Sequence, residues 1–283
     1  MFQKLRRGTA PLAVHAASAL VLTGLSLAAA PALADAAKAT PQEAAASSDS
    51  AWTGLKKDLV GDHALVEGTD AVTLDAPHRA TDPAIVPIKL TLDPAKHIRK
   101  VTLVIDENPA PVAATFHLAE GAGISELSTR VRVNAYTDIH AIAEAADGTL
   151  YVTKKFVKAA GGCAAPSAKD PEAAKRDIGK MKLREFPTDQ KGVREAQLMI
   201  KHPNNSGLQK DQVTLLYIPA HFITDLEVDK GGRKLFSMEG GISISEDPSF
   251  RFRYASDAAG PFHVKASDTE NMVFEKTFDG SQS

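Results

Sequence analysis

Two hydrophobic periods divide the chain. Trp52, Leu55 and Leu59 fall at helical spacing, which predicts a short helix over 52–60 with one face to dock onto a sheet. Beyond it the period becomes two. Val101, Leu103 and Ile105 alternate with Lys100 and Thr102, and Val131 and Val133 alternate with Arg130 and Arg132. Residues 141–145 lead through Asp147-Gly148 into 150–157, the pattern of a hairpin. Prolines at 77, 83, 87, 94, 109 and 111 exclude long helices across this region. Residues 51–160 therefore read as an immunoglobulin-like antiparallel β-sandwich.

Alternation resumes past residue 178. Met181 and Leu183 alternate with Lys180, Lys182 and Arg184, and Phe222, Leu226 and Val228 with Asp225 and Glu227. Asp229-Lys230-Gly231-Gly232 reads as a turn into 234–238, and 262–267 with 272–278 as a final hairpin. Phe250, Phe252 and Tyr254 share one strand face, opposite Arg251 and Arg253, and are expected in the core. Residues 179–283 thus form a second sandwich. The stretch 161–178, with Pro166 and Pro171, has no period and reads as a flexible linker. The fold class is all-β, two sandwiches in series, with an apolar seam expected between them.

The first 34 residues read as targeting rather than structure. Lys4, Arg6 and Arg7 precede an apolar run, and Ala32-Leu33-Ala34 gives a small-x-small cleavage site. This predicts a cleaved signal peptide, export to a periplasm and no membrane segment in the mature chain. Residues 35–50, rich in alanine and serine, are expected as a disordered leader. The formal charge of −2 becomes −5 without the three signal cations. No basic surplus remains to neutralise phosphates, which argues against nucleic acid as a partner.

Against that background the single cysteine, Cys163, changes the picture. Exported proteins usually place cysteines in disulfide pairs, so an unpaired one points to an intermolecular bond or a reactive thiol. It follows Gly161-Gly162 and precedes Ala164-Ala165. These small neighbours predict a flexible arm and an uncovered sulfur.

Other constellations carry less. His202, His221 and His263 have no compact ligand spacing and are expected as surface or turn histidines, with no metal. His117 and His140 are expected to face solvent or the domain seam, and Asp106-Glu107 to form a solvated turn. No phosphate-binding glycine loop, Gly-x-Ser-x-Gly elbow or Cys-x-x-Cys occurs. Neither catalytic residues nor a cofactor are indicated.

The chain resembles a known family. Asn108-Pro109-Ala110-Pro111-Val112-Ala113, Ser128-Thr129-Arg130-Val131-Arg132-Val133, Asp147-Gly148-Thr149-Leu150-Tyr151 and Gly161-Gly162-Cys163 are similar to the sulfur-carrier subunit SoxY. Ile200-Lys201-His202-Pro203, Gly207, Ile218-Pro219-Ala220-His221-Phe222-Ile223, Ile242-Ser243-Ile244-Ser245-Glu246-Asp247-Pro248 and Phe250-Arg251-Phe252 are similar to its partner SoxZ. The fusion resembles the SoxYZ-like carriers associated with quinoprotein dehydrogenases. Two features depart from the carrier subunit. Ala164-Ala165-Pro166 stands where the family usually has Gly-Gly, and the cysteine lies inside the chain rather than at its end.

What the resemblance implies is a carrier rather than an enzyme. Cys163 would hold a sulfur or other thiol-reactive intermediate and present it to periplasmic sulfur-oxidising enzymes or cytochromes, or to a quinoprotein dehydrogenase. The separate subunits bind each other, which implies an intramolecular contact between the two domains here. Two other readings remain: a docking module of a dehydrogenase system, and a one-cysteine peroxidase or redox sensor.

Overall fold

The computed structural model describes residues 40–68, 70–166 and 176–279. The expected signal peptide, the first residues of the leader and the middle of the linker lie outside the described residues. Among the described residues fifteen strands and one long helix follow one another in the order α1 (Pro41–Val60), β1 (Leu65–Glu67), β2 (Val72–Asp75), β3 (Val86–Leu92), β4 (Ile98–Ile105), β5 (Val112–Leu118), β6 (Glu126–Val131), β7 (Thr137–Ala145) and β8 (Leu150–Val157). After the linker come β9 (Met181–Phe186), β10 (Val193–Ile200), β11 (Ile223–Lys230), β12 (Arg233–Gly240), β13 (Ser249–Ala255), β14 (Phe262–Asp268) and β15 (Val273–Phe278). Among the described residues no helix is long and apolar enough to cross a membrane.

Each half is a two-sheet sandwich, as the alternation predicts. In the first half β1-β8-β7-β4-β5 faces β2-β3-β6, and in the second β12-β11-β14-β15 faces β13-β10-β9. Pairing is antiparallel except for the short β1, which lies parallel to β8. The halves are also joined strand to strand. β5 pairs with β12, His117 opposite Ser237, and β6 pairs with β13, Leu127 opposite Phe252. Both sheets therefore run through both halves, nine strands in one and six in the other. The core follows them: Phe116 of the first half packs edge-on to Phe236 and Phe250 of the second, with ring centroids 6.4 and 6.3 Å apart. Phe250, Phe252 and Tyr254 are buried, as their shared face predicts.

Local departures from the sequence pattern have identifiable causes. A bulge between Ile223 and Asp225 turns Ile223 inward with Leu226 and Val228, leaving Phe222 half-buried. β7 lacks alternation because both its faces are covered, one by the core and the other by α1. Trp52, Leu55 and Leu59 pack over Val104, Ile142 and Val152. The helix begins at Pro41, so most of the expected leader is ordered. Ser48 anchors that extension: its hydroxyl donates to Asp106 Oδ2 at 3.0 Å and accepts from the Asp138 N–H at 2.8 Å.

The same contacts correct two expectations about polar residues. Asp106 is buried rather than in a solvated turn, and its Oδ1 lies 2.9 Å from His140 Nδ1. His140 is buried too, with its ring stacked 3.7 Å from Trp52. His117 sits at the seam between β5 and β12, where it meets Glu239.

Candidate functional site

Cys163 lies in a turn just past β8, and its position is set by glycine. Gly161 takes φ +77°, open to glycine at no steric cost, and its N–H donates to the Asn134 carbonyl at 2.7 Å. Gly162 donates to the Val133 carbonyl at 3.0 Å. A Cβ at Gly162 would fall 2.1 Å from the Pro83 carbonyl oxygen and 2.6 Å from that of Val133, so only glycine permits this approach. The Ala164 N–H closes the turn on the Gly161 carbonyl at 3.2 Å.

The second half of the chain supplies the other side of the bed. Ser206, in the loop after β10, donates its hydroxyl to the Cys163 carbonyl, and Gln209 Nε2 donates to the Ala165 carbonyl at 2.9 Å. Beneath the turn lies Arg132, fully buried, with Nη1 3.3 Å from the Gly162 carbonyl and Nη2 3.4 Å from that of Asn204. Its Nε has no hydrogen-bond partner among the described residues. Asn108 braces this loop, donating to the Arg132 carbonyl at 2.8 Å and to Ser243 Oγ at 2.9 Å. Its side-chain oxygen accepts from the Asn134 N–H at 2.8 Å.

The expectation of an uncovered sulfur on a free arm is therefore corrected. Cys163 is fully buried, and Gly161, Gly162, Ala164 and Ala165 all take part in the docked turn. The glycines serve close packing against Pro83 and Val133 as well as freedom. Burial pushes the thiol up to about 11, and the Arg132 charge pulls it back only partly. In this closed state the sulfur is a protonated thiol, shielded from solvent. Arg132 is itself held below its ordinary value by burial, against the pull of Glu246 and of the thiol.

Sequence alternation places Arg132 on a solvent face. The structure ends β6 at Val131, and the Gly162 turn and the Asn204 loop then cover Arg132. Asn204, Ser206 and Gln209 carry no local signal of their role, because their partners lie about forty to seventy residues upstream.

Beside this bed lies a second buried group. His202 and His221 both aim Nε2 at one oxygen, Asp268 Oδ2, at 3.3 and 2.8 Å. The expectation of surface or turn histidines holds for His263, which is exposed and meets Glu275 at 2.7 Å. It fails for His202, whose side chain is wholly buried. His202, His221 and Asp268 offer ligand atoms within 4.8 Å of one another. Asp268 is the member that no spacing rule reaches. Burial lowers the His202 pKa against the pull of Asp268. Asp268 is held low by its hydrogen bonds, although burial opposes its charge.

A tandem of β-sandwiches that encloses one thiol at the junction of its halves defines a thiol-bearing, two-domain protein. Two family models match it in order: "Sulfur oxidation protein SoxY" over residues 56–163, ending on the cysteine itself, and "Sulphur oxidation protein SoxZ" over residues 182–279. The chain belongs to the SoxYZ-like family, with a SoxY domain and a SoxZ domain fused in one polypeptide. Among solved structures, the sulfur carrier protein SoxY from Chlorobium limicola f thiosulfatophilum is similar at 23% identity, covering 40% of this chain and 96% of its own, with a TM-score of 0.34. No curated protein matches the chain.

Proposed function

We propose that this chain is a periplasmic covalent carrier that holds a sulfur intermediate, or another thiol-reactive one, on Cys163. It presents that cargo to partner oxidoreductases or hydrolases, among them a quinoprotein dehydrogenase system. One observation carries the reading: the only thiol of the chain is the last residue of the SoxY match, and a loop of the SoxZ half seals it in. A closed bed protects the sulfur between encounters. Release of the few hydrogen bonds from Ser206, Gln209 and Arg132 would expose it to a partner.

The chemistry requires a partner. Joining a sulfur anion such as thiosulfate to a thiol forms a sulfur–sulfur bond and releases two electrons and one proton, so an external electron acceptor must take part. Once the turn opens, desolvation ends and the thiol returns towards its ordinary range, where the nucleophilic thiolate is accessible. The unpaired Nε of Arg132 is a donor suited to an anionic adduct on the returning arm. A peroxidase would need a thiolate in the resting protein, and burial of Cys163 opposes that.

The test is the intact mass of protein taken from its native host, with and without reductant, beside Cys163→Ser. The carrier reading expects a reductant-sensitive adduct larger than one oxygen and smaller than a protein, absent from Cys163→Ser. A clean thiol that stays unloaded with sulfur donors and an electron acceptor present would overturn it.

A further inference from the structure

We propose that His202, His221 and Asp268 form a binding site for one divalent transition-metal ion of the zinc type. The site is separate from Cys163 in its ligands and independent of the carrier chemistry. Two imidazoles and one carboxylate are a donor set that suits such an ion, with a fourth position left for water or an exogenous ligand. Tetrahedral coordination at the usual bond lengths places ligand atoms about 3.3 Å apart. His202 Nε2 and Asp268 Oδ2 already stand at 3.3 Å, and His221 Nε2 lies 2.8 Å from the same oxygen.

The surrounding contacts aim these donor atoms at one point. Asn204 Oδ1 is fixed as an acceptor, because it receives the Ile223 N–H at 3.2 Å while Asn204 Nδ2 donates to the Ile244 carbonyl at 3.3 Å. His202 Nδ1 lies 2.7 Å from that oxygen and 3.1 Å from the Asn204 backbone nitrogen, so Asn204 holds the ring on this side. The ring held this way points Nε2 at the Asp268 carboxylate. A bound cation takes Nε2 and Oδ2 as two of its ligands, and a proton held between them leaves to solvent. His221 joins through Nε2, while its Nδ1 faces Glu270 Oε1 at 3.5 Å.

The outer shell is also built. Metal-ligating histidines usually hold their second nitrogen on an oxygen, and here Asn204 Oδ1 stands 2.7 Å from His202 Nδ1, with Glu270 Oε1 3.5 Å from His221 Nδ1. Asp268 Oδ1 accepts the N–H groups of Glu270 and Met272, each at 2.9 Å, which aims Oδ2 at the two rings. The histidine-bearing loops are tied by reciprocal backbone bonds between Asn205 and His221, at 2.8 and 3.0 Å. His202 and Asp268 are wholly buried while His221 is 13% exposed, giving the ion one route of entry. Asn204, which orients His202, also accepts from Arg132 under the thiol, so the site adjoins the bed of Cys163.

The experiment is calorimetric titration of zinc chloride into untagged Cys163→Ser protein, first freed of metal with a chelator. The Cys163→Ser background removes thiolate binding from the signal. One ion per chain with a micromolar or tighter Kd is expected. Affinity should fall at least tenfold in His221→Ala and in Asp268→Asn, the latter keeping the oxygen that caps the turn, and stay unchanged in His263→Ala. X-ray absorption of the zinc-loaded parent should show two imidazoles and one carboxylate oxygen. Absence of saturable binding, binding unaltered by both ligand substitutions, or a coordination shell without two imidazoles would each overturn the proposal.

Discussion

At the scale of single residues, burial of Cys163 sets what the thiol can do and when. Its pKa of about 11 in the closed bed exceeds the ordinary value of 9.0, which release of the turn would restore. The sign follows from where the proton sits. Below pH 9 both states hold it, and the closed state keeps its full stability. Between 9 and 11 the open state gives up the proton while the closed one retains it, so rising pH favours opening. Alkylation by iodoacetamide at pH 8 should be at least ~10-fold slower than for a free cysteine, because burial both withholds the thiolate and shields the sulfur. It should accelerate more steeply with pH than a free thiol does. Gly162→Ala tests the bed directly, because its methyl group would strike the Pro83 and Val133 carbonyls. That variant should keep the melting temperature of the wild type within a few degrees and react several-fold faster. Equal alkylation rates for Gly162→Ala and wild type would show that the Gly162 approach does not hold the thiol closed.

At the scale of elements, α1 illustrates how far the sequence is legible. Its apolar stripe at 52, 55 and 59 is plain, because a face that must cover a sheet imposes the helical period. Its first turns are hidden by their alanine and serine composition, and what orders them is a buried hydrogen bond from Ser48 to Asp106, 58 residues away. The polar residues of the site are hidden for the same reason. Arg132, Asp106 and His202 read as solvent-facing, and His140 as facing solvent or the seam, because a sequence displays polarity but not partners, and each meets a partner on a distant loop or helix. Glycine and cysteine at 161–163 mark the site, whereas the seal on it does not show. Trp52→Ala tests the helix. Removing a half-buried ring stacked on His140 should cost about 2 kcal/mol and leave the His140–Asp106 pair open to water. Denaturant unfolding that matches wild type would show that α1 rests on the sheet without stabilising it.

At the scale of the molecule, the two domains behave as one body because they share sheets. Strand alternation reveals two sandwiches, but it is silent on edges, since the residues of β5, β6, β12 and β13 alternate alike whether an edge is free or paired. Here these edges pair with one another, and Phe116 reaches across to Phe236 and Phe250. The arrangement bears on function: the SoxY half carries the thiol, the SoxZ half carries the residues that close over it, and shared sheets fix the distance between them. It also predicts how the protein unfolds. Separate sandwiches on a linker would melt in two steps, whereas a common core should give a single cooperative transition by calorimetry. Phe236→Ala removes a fully buried ring from the junction and should lower stability by about 3–5 kcal/mol. Because the sheets are continuous, that loss should move the whole transition, with the tryptophan fluorescence of Trp52 in the first half following the calorimetric signal. A variant whose second half melts early while the Trp52 signal keeps the wild-type midpoint would show instead that the halves are energetically independent. The closing of Ser206 and Gln209 over Cys163 would then be a docking between two bodies, and thiol reactivity should rise at the first of the two transitions.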